Sequence, residues 1–175
     1  MASSVCSPSR SALLTGLYPV ATGIYPGVLW PNSIGGLAEA HLTLANYLAD
    51  IGYSTAHAGK WHLGVGESHQ FLPTKRGFDH YLGIPYSHDM CPCSKCFHAA
   101  HNTSCHDTCR PDFVGCPLFL DDTIIEQPTD LTSLTSKVTD FALNFIDGAA
   151  DKPYFLYMAY HQTHHPQFAS KCCLS

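Results

Sequence analysis

The stretch Pro153-Tyr154-Phe155-Leu156-Tyr157-Met158-Ala159-Tyr160 contains, from Tyr154 on, the longest apolar run of the chain. It has strand length and lacks the alternation of a half-solvated strand, so it reads as a strand buried on both faces, as in a parallel sheet. Just upstream, residues from about Ser133 to Asp147 show helical spacing, with Leu134, Val138, Phe141, Phe145 and Ile146 as the buried side. The same alternation occurs earlier. Thr43-Leu44-Ala45-Asn46-Tyr47-Leu48-Ala49-Asp50-Ile51-Gly52 predicts a helix that buries Leu44, Tyr47, Leu48 and Ile51, capped by Thr43 and stopped by Gly52. A short strand over Tyr53–Ala58 comes next, and Gly59-Lys60-Trp61-His62-Leu63-Gly64 is the loop that leaves it. Helix, strand, helix, strand predicts an α/β fold with a mostly parallel central sheet flanked by helices. In such sheets ligands bind just past the carboxyl ends of strands. Lys60 with His62, and His161 with His164, occupy that position.

Ser7 to Gly16 reads as a further short helix, with Ser7 as cap, Pro8 at its first position and Gly16 as its stop. Residues 17–40 are rich in Gly and Pro and read as a long loop. No repeat and no low-complexity tract appears.

The composition narrows the function. The 175 residues suit one domain, and with 45% hydrophobic and 13% charged residues the chain is no disordered tract. The net charge of −5 and the lack of a basic stretch argue against nucleic acid as partner. No apolar run approaches the roughly 20 residues of a membrane helix. Nine cysteines are few for a disulfide scaffold, which has ~8–10%, but many for a cytosolic enzyme. Cys91, Cys93, Cys96, Cys105 and Cys109 crowd into one segment, which points to an oxidising compartment and a stapled loop over 91–109. Met1–Val5 has neither the basic nor the apolar region of a signal peptide, and Lys171–Ser175 closes no element, so both ends are expected to be cut.

Cys6-Ser7-Pro8-Ser9-Arg10 carries the chemistry. Cys6 lies at a helix N-terminus, where free N–H groups and the helix dipole favour an anion, and Arg10 is one turn away. An ordinary capped helix with a buried cysteine has the same pattern.

Cys-x-Pro-Ser-Arg followed by a helix ending Leu14-Thr15-Gly16 resembles the signature of the sulfatase family, and Gly59–Gly64 resembles its second signature. Tyr25–Leu29, Gly35–Leu37, Gly77–Asp79, Leu82–Asp89 and His161–Phe168 resemble the arylsulfatase A branch, and Ile125–Pro128 leans toward the G branch. The resemblance implies an alkaline-phosphatase-like sulfatase domain, present in part. Residues 3–168 would be part of an N-terminal catalytic domain and 169–175 a divergent tail. It implies a sulfuric ester hydrolase for sulfated glycolipids or glycans, lysosomal or secreted, and it leaves room for a homo-oligomer. A dedicated enzyme would convert Cys6 to formylglycine, whose hydrate attacks sulfur with one hydroxyl and expels sulfate with the other. Carried over by motif, Cys6 is nucleophile and calcium ligand and Arg10 stabilises the hydrate. Lys60 and His164 bind sulfate, with His164 the general acid, while His161 and His165 compete for that role. His62 handles the proton of the formylglycine hydroxyl, and Ser87 contacts substrate.

The cysteine cluster admits two readings. Cys93-x2-Cys96 and Cys105-x3-Cys109 have the residue types of a zinc site, whereas the resemblance implies nested disulfides Cys93–Cys109 and Cys96–Cys105. Asn102-Thr103-Ser104 is a glycosylation sequon in the same loop. Cys91, Cys116, Cys172 and Cys173 stay unassigned, and Asp121-Asp122 reads as a solvated loop rather than a metal site. In the family, calcium is held partly by an Asp-Asp pair upstream of the signature cysteine and by an Asp-Asn pair beyond the third motif, neither found here. Made alone, a chain of these bounds is expected to be poorly stable and inactive. Its alternative identities are an inactive isoform of an arylsulfatase and a zinc-binding cysteine-rich module.

Overall fold

The computed structural model describes residues 3–91 and 115–164. Nine helices and strands among them run in the order α1 (Cys6–Thr15), α2 (Pro19–Thr22), α3 (Leu44–Asp50), β1 (Ser54–Gly59), β2 (His80–Gly83), β3 (Leu118–Leu120), β4 (Thr123–Glu126), α4 (Leu134–Ala149) and β5 (Tyr154–Ala159). The strands form one sheet in the order β4-β3-β2-β1-β5. β1 pairs in parallel with both β2 and β5. β3 and β4 extend the sheet antiparallel. The class is α/β as expected. The parallel character is confined to the three strands whose carboxyl ends meet at Gly59, Gly83 and Ala159.

Each face of the sheet carries its own core. On one face α4 packs Leu134, Val138 and Ala142 against Ala58, Leu82 and Leu118, with Leu156 and Met158 of β5 at the margin. On the other face Trp61, Phe78, Tyr81 and Phe119 pack with Leu14 of α1 and Ala45 of α3, flanked by Phe155 and Tyr157. Strand β5 thus sends apolar side chains to both faces, as its unbroken hydrophobic run requires. It is only half-buried, however, because it ends the strand order with β1 as its one neighbour among the described residues.

Several expectations need correction. α1 starts at Cys6 with Val5 as its N-cap, so Ser7 is not the cap and Pro8 is the third helical residue. Proline is tolerated there because the first four N–H groups of a helix have no intrahelical acceptor. The Ser7 hydroxyl instead accepts a hydrogen bond from the Leu29 N–H at 3.0 Å. Within the expected loop 17–40, Pro19–Thr22 makes one helical turn. On α3 the capping box of Thr43 and Asn46 is present, but Leu44, Tyr47 and Ile51 are exposed and the buried residue is Ala45. The helix backbone comes too close for large side chains: a Cβ on Gly77 would lie 2.3 Å from the Asn46 nitrogen. On α4, Ile146 is likewise exposed, and Ala142 and Ala149 are buried in addition to Leu134 and Val138.

The strand ends are packed equally tightly. A Cβ on Gly83 would stand 1.8 Å from the Gly59 carbonyl oxygen, so β2 can bring its end this near to β1 only with glycine. This approach brings Lys60, just beyond β1, side by side with Ser87, beyond β2.

Cys91 and Cys116, unassigned by sequence, form a disulfide with a sequence separation of 25 residues, and both are fully buried. Asp121 and Asp122 form the turn between β3 and β4. Asp121 accepts from the Tyr81 N–H at 2.8 Å, and Asp122 pairs with Lys75 and Thr74. Asp121 and Asp122 therefore serve the hairpin. Cys93, Cys96, Cys105, Cys109, Asn102, His165, Cys172 and Cys173 lie outside the described residues. By loop-closure entropy, replacing Cys91 and Cys116 together by serine is expected to cost about 3 kcal/mol, read from urea unfolding of the oxidised protein.

Candidate active site

The site forms where α1, β1, β2 and β5 end together. Cys6 opens α1 and is the one free cysteine among the described residues. Lys60 comes directly after β1 and is 2% exposed. Its Nζ donates to Cys6 Sγ at 3.3 Å and to Ser87 Oγ at 2.8 Å. From the turn after β5, His164 Nε2 comes within 3.7 Å of Cys6 Sγ. Arg10, one turn into α1, donates from its guanidinium to the Lys60 carbonyl. Cys6, Arg10, Lys60 and His164 line one open cavity of about 360 Å³, together with His161.

Two of the expected residues sit behind this wall. Ser87 and His62 are each 1% exposed and line no part of the cavity. Ser87 holds the Lys60 ammonium. His62 Nε2 lies 2.8 Å from the Leu29 carbonyl oxygen, while its Nδ1 has no hydrogen-bond partner. Sequence reasoning missed Asp89, whose Oδ1 is 3.8 Å from Nδ1 of His164. That is longer than a hydrogen bond, but it puts negative charge behind the ring whose other nitrogen faces Cys6. Its adjacency to Ser87 was the available signal.

The electrostatics divide the basic groups in two. Burial lowers the Lys60 pKa, negative charge on Cys6 raises it, and the nearby Arg10 lowers it further. Burial pushes His57 and His62 down to about 3 and His161 well below 6.5. His62 and His161 are held down further by Lys60 and Arg10. Positive charge is therefore left to Lys60 and Arg10, beside the neutral imidazoles of His57, His62 and His161. A cavity of this kind favours an anion held by directed N–H donors.

No group of three His, Cys, Asp or Glu side chains able to hold a metal ion occurs among the described residues. Calcium takes six to eight oxygen ligands. Around Cys6 stand instead an ammonium, a guanidinium and an imidazole.

Comparison with known proteins defines the class. The Sulfatase family model matches residues 1–174, and the chain belongs to the sulfatase family. It is 48% identical to human arylsulfatase A over 172 residues, covering 96% of this chain and 34% of that protein. Arylsulfatase G of the dog is 40% identical over 178 residues, covering 94% and 32%. The chain thus spans about a third of the length of the curated relatives it matches. Among solved structures, Ps i-CgsB in complex with k-i-k-neocarrahexaose superposes with a TM-score of 0.71 at 28% identity, covering 94% of this chain and 36% of that one. The PsFucS1 sulfatase from Pseudoalteromonas sp. gives 0.71 at 23%, covering 98% and 36%, a likeness of fold. The α/β sheet described above is accordingly that of an alkaline-phosphatase-like sulfatase domain.

The buried imidazoles set an acid limit on stability. His57 lies flat between Tyr81 and Tyr157 and keeps a pKa of about 3, against 6.5 when unfolded. Between pH 6.5 and 3 the unfolded state binds the extra proton, so stability falls as pH falls through that window. His57→Gln is expected to flatten the slope by up to about 1.4 kcal/mol per pH unit, read from urea midpoints across the window.

Proposed function

We propose that the protein carrying this chain is a sulfuric ester hydrolase of the arylsulfatase type. It acts on sulfate esters of glycolipids or glycans, in the lysosome or after secretion. A formylglycine-generating enzyme oxidises Cys6 to supply the nucleophile. The observation that carries this reading is the approach of Lys60, His164 and the α1 N-terminus to a single free thiol inside an anion-favouring cavity.

An aldehyde hydrate at position 6 bears two hydroxyls on one carbon, so one oxygen can bond sulfur as the alcohol leaves and the other can expel sulfate as the aldehyde re-forms. The residues of this chain supply the rest. Lys60 directs its ammonium at the position 6 side chain and, held by Ser87, needs no reorganisation when negative charge develops there. Arg10 fixes the Lys60 backbone and adds a second positive charge at the same cavity. His164 reaches position 6 with Nε2 while Asp89 faces its Nδ1. That arrangement suits a general acid that protonates the departing alcohol oxygen. His62, neutral and anchored on Leu29 behind the cavity wall, would act on the proton of the attacking hydroxyl only at second hand, through the packing around Lys60 and position 6. Calcium, as the family suggests it, would be held by the oxygen at position 6 once formylglycine has formed, together with oxygen ligands outside the described residues, and would supply further positive charge for the sulfate oxygens.

The test is made on the full-length protein expressed through a eukaryotic secretory pathway. Mass spectrometry of the peptide containing position 6 is expected to find an aldehyde in place of the thiol, and the protein is expected to turn over an aryl sulfate. Cys6→Ala abolishes turnover. Lys60→Ala and Arg10→Ala each lower kcat/KM by about a hundred- to a thousand-fold, the range for removing a preorganised charge donor. An unmodified thiol together with no turnover of any sulfate ester overturns the reading.

A further inference from the structure

Two threonines on α4 reach the turn that carries His164. Thr135 and Thr139 stand one helical turn apart, each next in sequence to a residue that α4 buries against the sheet, Leu134 and Val138. The Thr139 hydroxyl donates to the Thr135 carbonyl at 2.8 Å. Its one proton is thereby committed, so towards the Tyr160 hydroxyl at 2.7 Å Thr139 accepts and Tyr160 donates. The Gln162 amide donates to the Thr135 hydroxyl. Tyr160 and Gln162 flank His161, and both line the same cavity as Cys6, Lys60 and His164.

The turn is therefore held on two sides. On the inner side His161 is buried, and its carbonyl takes the His164 N–H at 3.3 Å. On the outer side Tyr160 and Gln162 are tied to a helix whose packed face keeps it in place. Bonds this exposed add little to stability, because water competes for them. What they fix is position. His164 Nε2 stands 3.7 Å from Cys6 Sγ. A general acid must come within about 2.6–3.2 Å of the atom it protonates, and a misplacement of about 1 Å can cost a hundredfold in rate. A turn freed on its outer side can shift by that much without unfolding.

We infer that Thr135 and Thr139 are positioning residues, which hold the turn through Tyr160 and Gln162 and so keep the His164 imidazole aimed at position 6. The inference rests on the sulfatase reading of the cavity, in which His164 protonates the departing alcohol.

The test compares Thr135→Val/Thr139→Val with Thr135→Ser/Thr139→Ser on the full-length protein. Valine keeps the shape and helix propensity of threonine and removes only the hydroxyl, so α4 is retained. Two esters are used: phenyl sulfate, whose basic phenoxide gains from a proton as it leaves, and nitrophenyl sulfate, whose phenoxide is stable without one. The valine pair is expected to lower kcat/KM for phenyl sulfate by at least about tenfold, and for the nitrophenyl ester much less. The serine pair, which keeps both hydroxyls, is expected to recover most of the loss. Equal losses on both esters, no loss, or no recovery by serine overturn the inference. Hydrogen exchange at residues 160–164 is expected to be faster in the valine pair than in the serine pair, and equal exchange overturns the anchor whatever the turnover. If the wild type hydrolyses neither ester, the sulfatase reading fails, while hydrogen exchange still judges the anchor. Should the valine pair not fold, Tyr160→Phe, which breaks the Thr139 contact from its other end, carries the same comparison.

Discussion

The Lys60 ammonium is withdrawn almost completely from water, and everything at the mouth of the sheet is organised to make that tolerable. A buried cation is costly unless every donor finds a partner. Nζ reaches Cys6 on α1 and Ser87 beyond β2. The Lys60 main chain is held as firmly as its side chain, with its N–H on the Ala159 carbonyl at 2.7 Å and its own carbonyl taken by Arg10. One residue therefore joins α1 to the ends of β1, β2 and β5. Such a group is preorganised because moving it would break contacts to four elements at once.

That constraint propagates to the neighbouring bases. With Lys60 and Arg10 close by and water excluded, a further positive charge on His57, His62 or His161 is disfavoured by burial and then by like charge. The imidazoles remain neutral hydrogen-bonding groups around two fixed cations. His164 differs in being partly exposed and in having Asp89 near Nδ1. In the proposed mechanism charge stabilisation accordingly falls to lysine and arginine, and proton handling to histidine.

Much of the fold was legible in the residues. The apolar run that becomes β5, the cap and stop of α3 and the helical spacing of α4 all identified their elements. What escaped were β2, β3 and β4, of three or four residues each, too short for any periodicity to emerge. Their pairing depends on close approach at Gly83 and on the hairpin turn at Asp121-Asp122, neither of which has a local signature. Burial was misread on α3 for a related reason. Spacing identifies an apolar stripe, but the backbone contact with Gly77 decides that only Ala45 fits against the core.

At the candidate site, Cys6, Arg10, Lys60, His62, Ser87 and His164 were named through the resemblance of their motifs to the sulfatase signatures, because a short motif is recognisable whatever the fold around it. Their division into a cavity wall and a supporting layer was not readable, nor were Asp89 behind His164, the Cys91–Cys116 bond or the hydrogen bonds between α4 and the turn after β5. These depend on distances between segments as much as 158 residues apart. By itself, then, the sequence determined the α/β class, the elements of strong periodicity and the inventory of reactive groups, all of which derive from local chemistry. Only the tertiary structure decided which groups face the cavity, which are buried and neutral, and which cation is held against Cys6. Burial and through-space charge belong to the packed chain, not to any segment of it.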